Sequence, residues 1–358
     1  MPVTRRSFVS ALAAAPLAAA PAPKRILILG GTGFLGPATV EAATRRGHQL
    51  TLFNRGRTRP GLFPRIETLL GDRDPEKGDG LKALRGRQWD AVIDNSGYFP
   101  RQVAASAQLL ARNTRHYIFI SSISVYASNT AEHQDETAPL ATTPDPAIEK
   151  ITDQTFGPLK ALCEKAVTAA LPDRAAIVRP GYIVGPDDPS GRFTYWPVRI
   201  ARGGEALAPG APADPVQIID VRDLGDWLIT LIERRTTGVF NATGPATRLA
   251  WGDLLQSCRA AAPAAVNLAW VPGEWIHAHA EDVFPIWAPY LGETRGFHTW
   301  SNARALKAGL RFRPYAETVA DTLRWYRSQT EGGRTKLAGP PPEKEAELLA
   351  AWRASPTR

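Results

Sequence analysis

Residues 24–48, KRILILGGTGFLGPATVEAATRRGH, decide the fold. Ile26 to Leu29 form a short, continuous apolar run, which predicts a buried strand. Gly30, Gly31, Gly33 and Gly36 follow it directly, with Thr32, Phe34 and Leu35 between them, and helical periodicity begins at Pro37. Glycines alone say little, but glycines between a strand and a helix predict a phosphate-cradling turn. Each has a task there: the tight turn, the approach of backbone to a pyrophosphate, and close packing of helix on strand. The helix N-terminus adds free N–H groups and the positive end of its dipole. Gly30, Gly31, Thr32, Gly33, Phe34, Leu35 and Gly36 are therefore candidate cofactor-binding residues.

Outward from this stretch, strands and helices alternate. QLTLFNRG (49–56), RIETLLGD (65–72), WDAVIDNSG (89–97), HYIFISSISVY (116–126) and RAAIVRPGYIVGP (174–186) each predict a strand. Helical segments lie between most of them, including PRQVAASAQLLARNT (100–114). The pattern predicts an α/β fold, with a Rossmann-type doubly wound parallel sheet over residues 24–185. After Gly185-Pro186 the chain becomes rich in Pro, Gly and aromatics, with helices predicted at DLGDWLITLIERR (223–235) and LAWGDLLQSCRAA (249–261). We expect a smaller C-terminal substrate lobe over 186–330, returning in part to the first domain and closing over the sheet's ligand-binding edge. Residues 331–358, a Gly/Pro linker and short polar helix, are expected to be peripheral or mobile.

Composition narrows the function classes. With 44% apolar and 22% charged residues among 358, the chain is globular rather than disordered. Its net charge of +8 comes mainly from Arg spread along the chain, with no basic run. Nucleic-acid binding gathers charge into a patch or stripe, so no stable nucleic-acid partner is expected. Cys163 and Cys258 match no metal or redox spacing and read as small buried apolar residues. His277, His279 and Glu281 in EWIHAHAED (274–282) share a face on a strand but diverge on a helix. No further cluster completes a ligand set, so no metal is expected. Residues 1–23, MPVTRRSFVSALAAAPLAAAPAP, are too short and Ala-rich for a membrane span. Arg5 and Arg6 before the Ala-rich run resemble a twin-arginine export signal. The expectation is an exported, periplasmic protein with the twin-arginine machinery as a partner; a cytoplasmic protein with a disordered leader is the alternative.

Two places carry the chemistry. The second strand ends in Asn54, followed by Arg55 and Arg57, where a carboxylate would accept from the ribose 2′-hydroxyl of NAD. A neutral residue with two guanidiniums suits the 2′-phosphate of NADP, which is the preferred cofactor, with NAD as the alternative. Asp72 ends the third strand, where it could meet an adenine amino group or simply cap a surface turn. Further on, ITDQTFGPLKALCEKA (151–166) sets Phe156 and Lys160 four apart on one helical face.

GGTGFLG (30–36), SSISVY (121–126), FGPLK (156–160) and RPGYIVGP (179–186), in that order, resemble the extended short-chain dehydrogenase/reductase superfamily, in its NAD-dependent epimerase/dehydratase branch. The resemblance implies a nicotinamide cofactor and a catalytic Ser122, with Ser124 beside it, at the substrate oxygen. It implies that Lys160 holds the nicotinamide ribose and tunes the acid, and that Arg179, Pro180 and Gly181 lie beside the nicotinamide. Phe156 stands where the family has its catalytic Tyr, which preserves packing and removes the proton. Tyr98, Tyr126 and Tyr182 are the substitute hydroxyls. Sugar-nucleotide members carry an Arg that grips the diphosphate; here that position is Val216 or Gln217, with Arg192, Arg199 or Arg222 as substitutes. Phe193, Tyr195, Trp196, Trp287, Tyr290 and Trp300 either stack on a planar ligand or pack the core.

The expected function is that of an NAD(P)-binding, epimerase/dehydratase-like oxidoreductase for a small carbonyl or hydroxyl substrate, sugar-type substrates included. An exported enzyme of this kind would carry its dinucleotide bound before transport. A cofactor-binding pseudoenzyme or sensor is the first alternative. The second is an RNA-binding member, because TLFNRG (51–56) is similar to the second strand of chloroplast stem-loop RNA-binding proteins. The sequence is compatible with a homo-oligomer.

Overall fold

The computed structural model describes residues 22–262 and 264–355. The expected export signal falls mainly on residues 1–21, outside the described residues. Six strands, β1 (Arg25–Leu29), β2 (Gln49–Asn54), β3 (Glu67–Leu70), β4 (Trp89–Asp94), β5 (Thr114–Ile120) and β6 (Ala175–Pro180), join an edge strand, Gly238–Ala242, in one sheet. All pairs are parallel, in the order edge strand–β6–β5–β4–β1–β2–β3. The order reverses between β1 and β4, so their C-terminal ends open a crevice.

The apolar run of β1 is buried because helices cover both faces of the sheet. Ile26 and Ile28 pack with Val40 and Ala43 of α1 (Leu35–Arg45) and Leu228 of the helix Val221–Arg234. Leu27 and Leu29 face the other way, onto Val103 of α2 (Pro100–Ala111) and Val167 of α3 (Asp153–Ala170). Period-two alternation thus divides one strand between two cores.

The chain returns to this layer after leaving it. Helix Val221–Arg234 lies beside α1, with Arg46 paired to Glu233 at 2.9 Å, and the edge strand follows. The run expected as one sixth strand is two. β6 stops at Pro180, and Tyr182–Val184 pairs instead with Ile218–Asp220. Gly181 marks the break, where a Cβ would come within 2.6 Å of Thr243 Oγ1.

The lobe has its own core, built around Phe193, Trp196, Trp251, Leu254 and Trp287. The parallel pair Gly204–Pro209 and Val266–Val271 flanks it. The tail expected at the periphery belongs to this core. In the helix Pro342–Ala354, Leu348 and Leu349 are buried, and Glu345 accepts from Arg199 Nε at 2.6 Å and Leu207 N–H at 2.9 Å. Removing one partner of a buried ion pair leaves an uncompensated charge. We expect Glu345→Ala to lower unfolding free energy by about 3 kcal/mol in urea titrations; a change near zero would return the tail to the periphery.

Candidate active site

A cleft of about 1230 Å³ opens over the C-terminal ends of the sheet and is lined from both the sheet and the lobe. Its floor is the glycine loop. Gly30 and Gly31 hold φ of +117° and +91°, which disfavours any side chain, and a Cβ on Gly36 would lie 2.3 Å from the Gly31 carbonyl carbon. Gly36 therefore serves helix packing and does not line the cleft. At Gly33 a Cβ would meet nothing within 4 Å, so the loop leaves open space where a ligand's phosphates fit. Beside Gly30, the Asn95 Nδ2 donor is buried without a partner among the described residues. An orphaned donor and an open glycine cradle together suit a dinucleotide.

The end of β2 presents donors. Asn54 Oδ1 already accepts from the Gly56 N–H at 2.7 Å, so its amide N–H groups are what it can offer a ligand. Arg55 and Arg57 line the cleft without any ion-pair or hydrogen-bond partner among the described residues. Asp72 also lines it, with Oδ1 accepting from the Asp74 N–H at 2.9 Å. Arg73, not singled out by sequence, reaches the cleft and forms a two-pronged ion pair with buried Asp94, which also accepts from the Tyr117 hydroxyl at 2.7 Å.

The other end is organised by α3. A capping box of Thr152 and Thr155 starts the helix, and a Cβ on Gly157 would lie 2.0 Å from the Ser124 carbonyl oxygen. The helix thus presses directly on the SSISVY segment. Lys160 Nζ donates to the carbonyls of Gly97 at 2.7 Å and Ile120 at 2.8 Å. It also lies 4.7 Å from the Tyr98 ring centroid and 5.0 Å from that of Phe119. Burial pushes its pKa down to about 8. Ser122 accepts from the Ser124 N–H and donates to its hydroxyl, both at 3.1 Å. Ser122, Ser124, Phe156, Lys160, Pro180 and Gly181 all line the cleft, as do Tyr98 and Tyr182.

The substitute hydroxyls separate cleanly. Tyr126 stacks on Trp300 with centroids 3.8 Å apart, donates to Asn241 and accepts from Arg179, so it is spent within the core. Arg179 does not reach the cleft: its guanidinium is buried against Glu164 at 2.6 and 2.9 Å. Residues 179 and 180 are strand neighbours, so only one of them can face the cleft, and it is Pro180. Tyr98 faces the cleft with 44% of its surface open, its ring centroid 6.4 Å from that of Phe156, and its hydroxyl has no hydrogen-bond partner among the described residues. Partial burial of the phenol raises its pKa.

The lobe's contribution is aromatic. Tyr182 and Phe297 meet edge to face at 5.7 Å on the cleft wall, with the Arg192 guanidinium 5.1 Å from the Tyr182 centroid. Gln217 gives its amide to the Trp300 carbonyl at 2.8 Å and accepts the Trp300 N–H at 3.0 Å, and Val216 is buried. Arg199 is committed to Glu345, and Arg222 to Asp220 and Asp321. Phe193, Tyr195, Trp196, Trp287 and Trp300 are core residues, and Tyr290 packs against Arg295. His277 and His279 fall on the helix Gly273–His279 and diverge; His279 stacks on Trp275 at 4.4 Å.

The chain belongs to the NAD dependent epimerase/dehydratase family, whose model matches residues 26–242. It is 27% identical over 349 residues to 2′-dehydrokanamycin reductase of Streptomyces kanamyceticus, across 93% of this chain and 92% of that protein. It is 26% identical over 251 residues to the chloroplast stem-loop binding protein of 41 kDa b of Arabidopsis thaliana. That match covers 62% of this chain and spans only 59% of the plant protein's length. The Bordetella bronchiseptica enzyme WbmH, solved in complex with NAD+, shares the fold at a TM-score of 0.60 and 15% identity, over 85% of this chain and 98% of that one.

The Lys160 charge has a thermodynamic signature. Its pKa is about 8 when folded and 10.5 when free, so between these values the unfolded chain binds the extra proton. Stability relative to Lys160→Met should therefore be lowest below pH 8 and rise as pH climbs toward 10.5. Urea midpoints across this range read the difference; parallel curves would show that the ammonium is not desolvated.

Proposed function

We propose that this protein is an NADP(H)-dependent oxidoreductase that reduces a small carbonyl compound, with Tyr98 supplying the proton. One observation carries the reading: the Tyr98 phenol, without a hydrogen-bond partner among the described residues, lines the same cleft as Ser122 with its ring facing Lys160, while Phe156 fills the usual acid position. The glycine loop would hold the pyrophosphate, and Asn54 Nδ2, Arg55 and Arg57 the 2′-phosphate. When bound, NADPH supplies a hydride at its nicotinamide ring.

The chain's own residues handle the oxygen. Ser122 and Ser124 orient the substrate carbonyl by hydrogen bonding, and the Lys160 ammonium stabilises negative charge developing nearby. Tyr98 gives its phenolic proton to that oxygen as the carbonyl becomes a hydroxyl, and water in the open cleft restores it. A phenol is protonated at neutral pH and so enters the reaction able to donate, and the Lys160 ammonium beside its ring stabilises the phenolate that donation leaves. The relative covered nearly end to end is named as a reductase, which supports the same direction. Gln217 is spent on Trp300, and Arg199 and Arg222 on carboxylates, so of the arginines weighed for a diphosphate only Arg192 lines the cleft, and the absence of an arginine at the usual position favours a substrate without a nucleotide.

Paired variants test the assignment, with NADPH oxidation by isatin as the carbonyl probe. Tyr98→Phe should lower kcat by about 10²- to 10⁴-fold while leaving NADPH affinity unchanged. Phe156→Tyr should change kcat only a few-fold. An inert natural protein that gains hydride transfer from Phe156→Tyr would instead be a cofactor-binding pseudoenzyme.

A further inference from the structure

We infer that Arg59, held by Asp187 of the lobe, is a positioning residue that presets the glycine loop for the cofactor's pyrophosphate and links cofactor release to the lobe. The inference rests on the NADP(H) reading above. Three arginines follow β2 within five residues, and they behave differently. Arg55 and Arg57 line the cleft, whereas Arg59 lies outside its lining and acts on the loop from behind. Its Nε donates to the Thr32 carbonyl at 2.9 Å and its Nη2 to the Gly33 carbonyl at 2.7 Å.

These two bonds matter because a trans peptide points its C=O and N–H in opposite directions. Fixing the carbonyls of Thr32 and Gly33 toward Arg59 turns the N–H groups of Gly33 and Phe34 away from it. Gly33 and Phe34 are both cleft-lining residues. Free peptide N–H groups are what a pyrophosphate needs from such a loop, and a glycine-rich segment does not hold peptide planes by itself. Arg59 supplies the orientation that the glycines lack.

The third donor completes a strap. Arg59 Nη1 reaches Asp187 Oδ2 at 2.7 Å, across 128 residues of sequence. Asp187 directly precedes Asp188, Pro189 and Ser190, which line the cleft from the lobe. Both strap residues hold left-handed backbone, with φ of +45° at Arg59 and +73° at Asp187, a region that L-residues with side chains seldom occupy. Such conformations persist where the surroundings over-determine them, and here three charge-assisted bonds do so. The pair is partly exposed, at 36% and 48% of the side chains, so its worth lies in orientation rather than in fold stability. A ligand that moves the Asp187 turn thereby alters the loop holding the cofactor.

The test compares NADPH with adenosine 2′-monophosphate, which carries the 2′-phosphate but no pyrophosphate, on the full chain. NADPH affinity and dissociation rate are read by fluorescence, and the nucleotide by calorimetry. Arg59→Met should weaken NADPH at least about tenfold, the scale of a lost charge-assisted interaction, and leave the monophosphate unchanged. Arg59→Lys should restore part of the loss, and Asp187→Asn should speed NADPH release several-fold. Asp187→Asn sits at the exposed end of the strap and keeps the test valid if Arg59→Met fails to fold. Unchanged NADPH binding and release in these variants, or equal loss of both ligands, would overturn the strap. Failure of the wild-type chain to bind NADPH would overturn the cofactor reading itself.

Discussion

The buried ammonium of Lys160 is the constraint on which the site depends. Burying a charge is costly unless it is fully engaged. Here two carbonyls and two aromatic faces compensate, the carbonyls being those of Gly97 just after β4 and Ile120 at the end of β5. Through Lys160, α3 fastens two strand ends at once. Tyr98 follows Gly97 and Ser122 follows Ile120 by two residues, so the same contacts position two hydroxyl-bearing residues of the cleft lining.

This arrangement explains how Phe can stand at position 156 without dismantling the site. The family's phenol is normally supplied by the helix that carries the Lys. Here the helix keeps an apolar ring, and the phenol we propose as the proton donor, Tyr98, follows β4, with Lys160 Nζ 4.7 Å from its ring centroid. Tyr98, Phe156 and, from the lobe, Tyr182 and Phe297 give the cleft an aromatic lining, with Arg192 over the Tyr182 ring.

Much of the fold was legible because its signals are local. The central parallel strands β1, β4 and β5 are buried on both faces and read as apolar runs, and the glycine turn tolerates few substitutions, so they and the loop appear in the sequence directly, whereas the exposed edge strand β3 is legible mainly from its place in the alternation. Lys160 and Ser122, singled out by the family resemblance, and Asn54, by its place at the end of β2, all line the cleft. What escaped was tertiary. Apolar continuity hid the break at Gly181, because the second half needs Ile218–Asp220 as its partner. The polar tail gave no hint that Glu345 meets Arg199, 146 residues away. Arg179 and Tyr126 lie within matching motifs, yet strand alternation and stacking on Trp300 turn them into the core. Arg59 looks like its neighbours Arg55 and Arg57, and only the loop carbonyls distinguish it.

The central claim is that the cleft is an NADP(H) site, with Asn54 acting as a donor and Arg55 and Arg57 left free for the 2′-phosphate. Isothermal titration calorimetry of the purified chain with NADPH and NADH tests it most directly. The account predicts one site per chain and NADPH binding at least about tenfold tighter than NADH, a gap that narrows at high salt because the 2′-phosphate meets exposed arginines. Equal affinity, a preference for NADH, or no binding heat for either dinucleotide would contradict it.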